Sequence, residues 1–222
     1  MTAQPRFAVI LSGCGVYDGT EIHESVLTLL AIDRLGGLYR CYAPDRPQLH
    51  VVNHLTGAVA AGETRNVLVE SARIARGAIT DLAQFDPAEC DALILPGGFG
   101  AAKNLCGFAL DGAECAVDPA TERAVRLMLA AGKPIGALCI APALLARIVG
   151  DRAELTIGND SGTAAAIDKM GAHHLVAGPG EVVIDTAHKI ATSPCYMLDS
   201  SIKTIAAGAE NTVRALLTMM GR

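Results

Sequence analysis

The chain has 222 residues, 51% of them hydrophobic, with no Trp and only 4% aromatic residues. That apolar content excludes intrinsic disorder and suits one substantial core of Ala, Val, Ile and Leu, as in layered α/β proteins. Eighteen basic residues against 23 acidic ones leave a net charge of −5, with no basic block to track phosphates and no aromatic platform for bases, so nucleic acid is excluded as a partner.

The opening Met1-Thr-Ala-Gln-Pro-Arg6 runs directly into an apolar segment at 7–11. Five residues are too few for a signal sequence or a membrane span, so no membrane association and a cytoplasmic location are expected. This run reads as a first strand. Residues 21–35 follow as a helix, with Ile22, Val26, Leu29 and Leu30 sharing a face. A second strand is expected at 38–42. The stretch 44–77 is less regular: Asn53-His-Leu-Thr-Gly57 reads as a turn and 66–76 as a helix, an insertion and not a second domain. Further strands fall at 92–95 and 135–138, each apolar throughout, as buried parallel strands are. Helices are expected at 119–131, capped by Asp118, at 140–149 and at 202–219. Segments 181–185 and 189–192 bracket Thr186-Ala-His188 as a hairpin. This βα alternation requires right-handed crossovers. It predicts one α/β domain over 1–222, a three-layer α/β/α sandwich with a flavodoxin-like, doubly wound, mostly parallel sheet and functional loops at the strand carboxyl ends.

Seven cysteines, at 14, 41, 90, 106, 115, 139 and 195, are odd in number, scattered and without a Cys-x-x-Cys pair. A disulfide framework and a zinc ribbon are therefore excluded, and reduced thiols are expected. Cys139 differs from the others. Gly136-Ala-Leu-Cys139-Ile-Ala141 places it between a strand and a helix with small neighbours, where helix amides and dipole can stabilise a thiolate; packing as a small hydrophobe is the competing reading. Two other loops carry candidate chemistry. The segment Ser12 to Glu24 delivers Glu21, His23 and Glu24 into the first turns of a helix, where acids are also favoured by the dipole alone, at about 0.3–1 kcal/mol each. Pro96-Gly97-Gly98-Phe99-Gly100 offers bare amides for an oxyanion and fits neither the dinucleotide fingerprint nor a Walker loop.

Four segments in order resemble the ElbB-like glyoxalase branch of the ThiJ/PfpI superfamily, over nearly the whole chain. They are Ile10-Leu-Ser-Gly-Cys-Gly-Val-Tyr-Asp-Gly19, Glu63-Thr-Arg-Asn-Val67, Leu95-Pro-Gly-Gly-Phe-Gly-Ala-Ala-Lys-Asn104 and Cys139-Ile-Ala-Pro142. The resemblance implies the class I glutamine amidotransferase-like fold, a homodimer and a glyoxalase, a lyase of the hydro-lyase type. Such an enzyme turns a small dicarbonyl, glyoxal, into glycolate with no cofactor, glutathione or metal. Family naming also links the branch to isoprenoid biosynthesis. On this chain the resemblance makes Cys139 the nucleophile, the amides of Gly97, Gly98 and Ile140 the oxyanion donors, and a Glu of the first helix the acidic partner. The family pattern of a Glu followed twelve positions on by Gly matches Glu24 and Gly36, with Glu21 one turn earlier in reserve.

One departure bears on mechanism. Peptidase-like and amidase-like relatives carry a His after the Cys or supply a triad, whereas Ile140 follows here. Among the remaining histidines, His23 shares the Glu24 loop. The expected chemistry is a Cys139 thiolate adding to an aldehyde to give a hemithioacetal, with Glu24 moving protons, its pKa raised and that of the thiol lowered. A thiol-dependent deglycase or amidohydrolase and a non-enzymatic redox-sensing Cys protein are the alternatives.

Overall fold

The run at 7–11 is apolar at every position because both of its faces are buried. In the computed structural model, which describes residues 3–222, it forms β1 (Arg6–Ile10). Ala8 and Ile10 enter one core, while Phe7, Val9 and the following Leu11 enter another. Along the chain come α1 (Ile22–Arg34), β2 (Leu38–Ala43), α2 (Val67–Ile74), β3 (Ile79–Asp81), β4 (Ala92–Leu95), α3 (Phe99–Lys103), α4 (Phe108–Asp111), α5 (Pro119–Ala130) and β5 (Ile135–Leu138). They are followed by α6 (Ala141–Val149), β6 (Glu154–Leu155), α7 (Ser161–Lys169), β7 (His173–His174), β8 (Val183–Asp185), β9 (Ile190–Ser193) and α8 (Ile202–Met219).

Seven strands form one sheet in the order β3-β2-β1-β4-β5-β9-β8, parallel except for β8 against β9. β6 and β7 pair separately. Val125 and Met128 of α5 and Leu144 and Leu145 of α6 cover one face; Leu29 and Ile32 of α1 and Val213 and Leu216 of α8 cover the other. Each such side chain, fully buried, contributes roughly 1.5–3 kcal/mol. The result is the three-layer α/β/α sandwich expected, with a mostly parallel sheet.

Most predicted elements appear within a residue or two of their expected ends. Asp118 caps α5 by accepting the Thr121 N–H at 2.9 Å, and β8 and β9 make the expected hairpin. Residues 53–57 form a turn, with the Gly57 N–H donating to Asn53 O at 2.8 Å. The face of α1 is different from the one predicted. Ile22, Val26 and Leu30 are exposed at 41%, 46% and 38%, and the buried side carries Glu24, Ser25, Thr28, Leu29, Ala31 and Ile32. Small and hydroxyl residues there let α1 lie against α8, and the rotation carries Glu24 inward over the carboxyl ends of the strands.

The loop from Ser12 to Gly19 is fixed over those ends by Asn104. Its Nδ2 donates to Ser12 O at 2.8 Å and Asp18 O at 2.9 Å, and its Oδ1 accepts the Leu49 N–H at 3.0 Å. Asp18 in turn accepts the Val52 N–H at 2.7 Å, which ties the insertion to the same loop.

Candidate active site

β5 ends at Leu138 and α6 begins at Ala141, so Cys139 occupies the joint, with φ +59°. Left-handed backbone costs a residue with a Cβ about 1–2 kcal/mol. Cys139 is held in it by its own N–H, which donates to Ser193 O at the end of β9 at 2.9 Å. The amides of Gly98 and Ile140, two of the predicted oxyanion donors, belong to residues that line one cavity with Cys139, and they pull the thiol pKa down. A group in this position turns sulfur, and any oxyanion formed beside it, toward fixed N–H dipoles.

Glu24 lies beside Cys139 without exposed surface. Its Oε2 accepts the Gly97 N–H at 2.9 Å and its Oε1 accepts the Tyr196 N–H at 3.2 Å. Gly97, expected as an oxyanion donor, therefore gives its amide to Glu24 instead. It is glycine because nothing larger fits: a Cβ there would stand 2.4 Å from the Cys139 Cβ and 2.8 Å from Glu24 Oε2. Glu21 is not on the sulfur. It is the N-cap of α1, and its Oε2 accepts the Glu24 N–H at 2.7 Å, so it orients its neighbour. His23 Nδ1 is 2.9 Å from the Tyr196 hydroxyl, which makes that phenol its hydrogen-bond partner.

Burial pushes the Glu24 carboxyl up to about 8, assisted by the charge of Glu21 and opposed by the two amides and the thiol. The Cys139 thiol also moves up, well above its ordinary value, first through burial and then through the charge of Glu24; the amides of Gly98 and Ile140 pull the other way. This corrects the expected lowered thiol. A sulfur in a residue only 7% exposed has lost more hydration than two amides return. At neutral pH both groups hold their protons. The first proton leaves the pair near pH 8, from Glu24, and the charge left on the carboxyl holds the Cys139 proton more firmly.

No family model matches the chain. It is 46% identical over 226 residues to a Homo sapiens protein, the mitochondrial glutamine amidotransferase-like class 1 domain-containing protein 3, covering 98% of this chain and 84% of that one. The chain belongs to the glutamine amidotransferase-like class 1 family. The mitochondrial ES1 protein of Danio rerio is 32% identical, covering 98% of this chain and 87% of its own. A solved structure from Ehrlichia chaffeensis, an isoprenoid biosynthesis protein with an amidotransferase-like domain, matches with a TM-score of 0.89 at 38% identity, over 96% of this chain and 99% of that one. Drosophila melanogaster DJ-1beta, at 16% identity and a TM-score of 0.58 over 98% of this chain and 96% of its own, shares the fold. The likeness to DJ-1beta is one of fold alone. The names of the human and zebrafish relatives are mitochondrial and lend no support to the cytoplasmic expectation; among the described residues no helix is long and apolar enough to cross a membrane.

In this glutamine amidotransferase-like chain a cavity of about 310 Å³ opens onto Cys139 between the loop after β1, α3, α4, α7 and the turn after β9. Tyr196, which the sequence reading did not single out, both lines this cavity and fixes Glu24 through its amide. The preceding Cys195 adopts φ +42°. The segment Pro194-Cys-Tyr-Met197 carries no motif that would have disclosed the role. It is set by where β9 ends beside β5.

Proposed function

We propose that the chain is a cofactor-independent glyoxalase in which Cys139 and Glu24 act as one unit, turning glyoxal into glycolate. The observation that carries this reading is the buried Glu24 carboxyl, anchored by the amides of Gly97 and Tyr196, beside a strand-end thiol that shares a cavity with Gly98 and Ile140. In the singly ionised pair, the thiol proton passes to Glu24 as Sγ bonds to one aldehyde carbon. The alkoxide held by Gly98 and Ile140 takes that proton back, giving a hemithioacetal. The Glu24 carboxylate removes the hydrogen on this carbon as a proton and returns it to the second carbon through an enediolate. As the hydroxyl proton of the first carbon moves to the oxygen of the second, the first carbon is oxidised to a thioester and the second reduced to an alcohol. Water cleaves the thioester, releases glycolate and restores the thiol. A base with a pKa of about 8 is well matched to such transfers near neutral pH.

The alternatives fit less well. No histidine touches the sulfur, as an amidohydrolase triad would require, and the thiol is shifted up, away from the low pKa of a redox-sensing cysteine. A link to isoprenoid biosynthesis rests on naming alone, that of the family branch and of the Ehrlichia relative. The exposed stripe of Ile22, Val26 and Leu30 supports the homodimer implied by resemblance; sedimentation of Val26→Asp is expected to give the monomer mass, and a monomeric wild type would refute it. The reaction itself is tested with glyoxal and glutamine side by side. Glycolate from glyoxal without ammonia from glutamine is expected, and the reverse would favour the amidohydrolase.

A further inference from the structure

The cavity at Cys139 is larger and less polar than a two-carbon dialdehyde requires. About 310 Å³ is room for roughly ten waters at ~30 Å³ each. It also stands at the lower end of cavities that enclose drug-sized ligands, roughly 300–1,000 Å³. Its walls are Val16, Phe99, Ala102, Phe108, Ala109 and Met197, with Ile140 beside Cys139; Thr163 and Tyr196 are the polar residues that join them. No charged side chain lines it. The cation on the adjoining helix is engaged elsewhere, since Lys103 Nζ donates to Tyr17 O at 3.0 Å and lies 4.9 Å over the Phe99 ring.

Resting on the glyoxalase reading, we infer that the substrate class of this site is a neutral α-oxoaldehyde with an apolar body, an aryl or branched alkyl ketoaldehyde, whose formyl carbon meets Cys139 while its body lies between Phe99 and Phe108. A zwitterionic amino acid or a phosphorylated sugar would leave its charges without partners against these walls. A neutral carbonyl needs only the amides of Gly98 and Ile140, which the sulfur already marks. The apolar body displaces water from the ring faces and from Met197, and a single methylene-sized group in such a pocket is worth about tenfold or more in kcat/KM. Phe108 and Ala109 stand on the short helix α4 at the rim, so selectivity is set by a segment that carries none of the reacting groups.

The test measures kcat/KM for glyoxal, methylglyoxal and phenylglyoxal, each corrected for its rate with a free thiol, in wild type and in Ala109→Glu. Calorimetric binding of acetophenone, an apolar ketone without the aldehyde, to Cys139→Ala accompanies it. Phenylglyoxal is expected to exceed glyoxal at least tenfold in wild type, with that ratio falling to near unity in Ala109→Glu, and acetophenone is expected to bind saturably. Glyoxal turned over with no preference for phenylglyoxal would overturn the inference and leave the glyoxalase reading standing. Saturable acetophenone binding with none of the three aldehydes turned over would overturn the glyoxalase reading and leave the apolar pocket. Neither binding nor turnover would overturn both.

Discussion

Glu24→Gln is expected to invert the order of stability between acid and alkaline pH. The Glu24 carboxyl is raised from an ordinary 4.5 to about 8 in the folded chain, chiefly by burial. The folded protein therefore keeps a proton that the unfolded chain releases. The stability that Glu24 allows is fully present below about pH 4.5 and is lost as pH rises through about 8. Between pH 5 and 8.5 that loss is roughly 3–4 kcal/mol, at ~1.36 kcal/mol per pKa unit. The glutamine variant does not titrate, but its amide must set an N–H against either Gly97 or Tyr196, whose N–H groups both point at Glu24. That mismatch costs about 1–3 kcal/mol at every pH. Urea unfolding at the two pH values is thus expected to show the variant less stable than wild type at pH 5 and equal or more stable at pH 8.5. A difference between the two proteins that stays constant with pH would place the Glu24 pKa near its ordinary value and dismantle the pair.

Cys139→Ala is expected to lower glycolate formation by about 10³-fold or more, because no hemithioacetal forms without the sulfur and amides alone leave only the residual catalysis of an oxyanion site. Alanine keeps the Cβ, so the left-handed backbone at 139 and its N–H bond to Ser193 remain as they are. The fold is expected to survive, with a change in thermal midpoint of only a few degrees. Retention of most of the activity in a folded Cys139→Ala protein would remove the nucleophile from the scheme.

What the sequence disclosed and what it withheld divide on physical lines. Strands buried on both faces are apolar throughout, so β1, β4 and β5 could be read directly, and Asp118 ahead of Pro119 marked the start of α5. Cys139 was legible from its small neighbours at a strand end, and Glu24 only through the family pattern that its distance to Gly36 matches. The rotation of α1 was not legible, because Ile22, Val26 and Leu30 make as good an apolar stripe as the face that is buried. The diversion of the Gly97 amide to Glu24 depends on two loops meeting across 73 positions, and the Tyr196 amide on a contact across 172. The upward shift of the thiol follows from burial, a property of the assembled site and not of the elbow. β3, three residues long at the sheet edge, carries too little pattern to be recognised.

Carbamidomethylation of Cys139 by iodoacetamide, followed against pH in wild type and in Glu24→Gln, tests the coupling of thiol and carboxyl most directly. In wild type the rate is expected to stay low through pH 8, where the ionised Glu24 holds the thiol proton, and to rise only well above pH 9. In Glu24→Gln the midpoint is expected to move down, because the charge that raised the thiol is gone, while burial still holds it above its ordinary value. Identical profiles in the two proteins would contradict the coupling of Cys139 to Glu24.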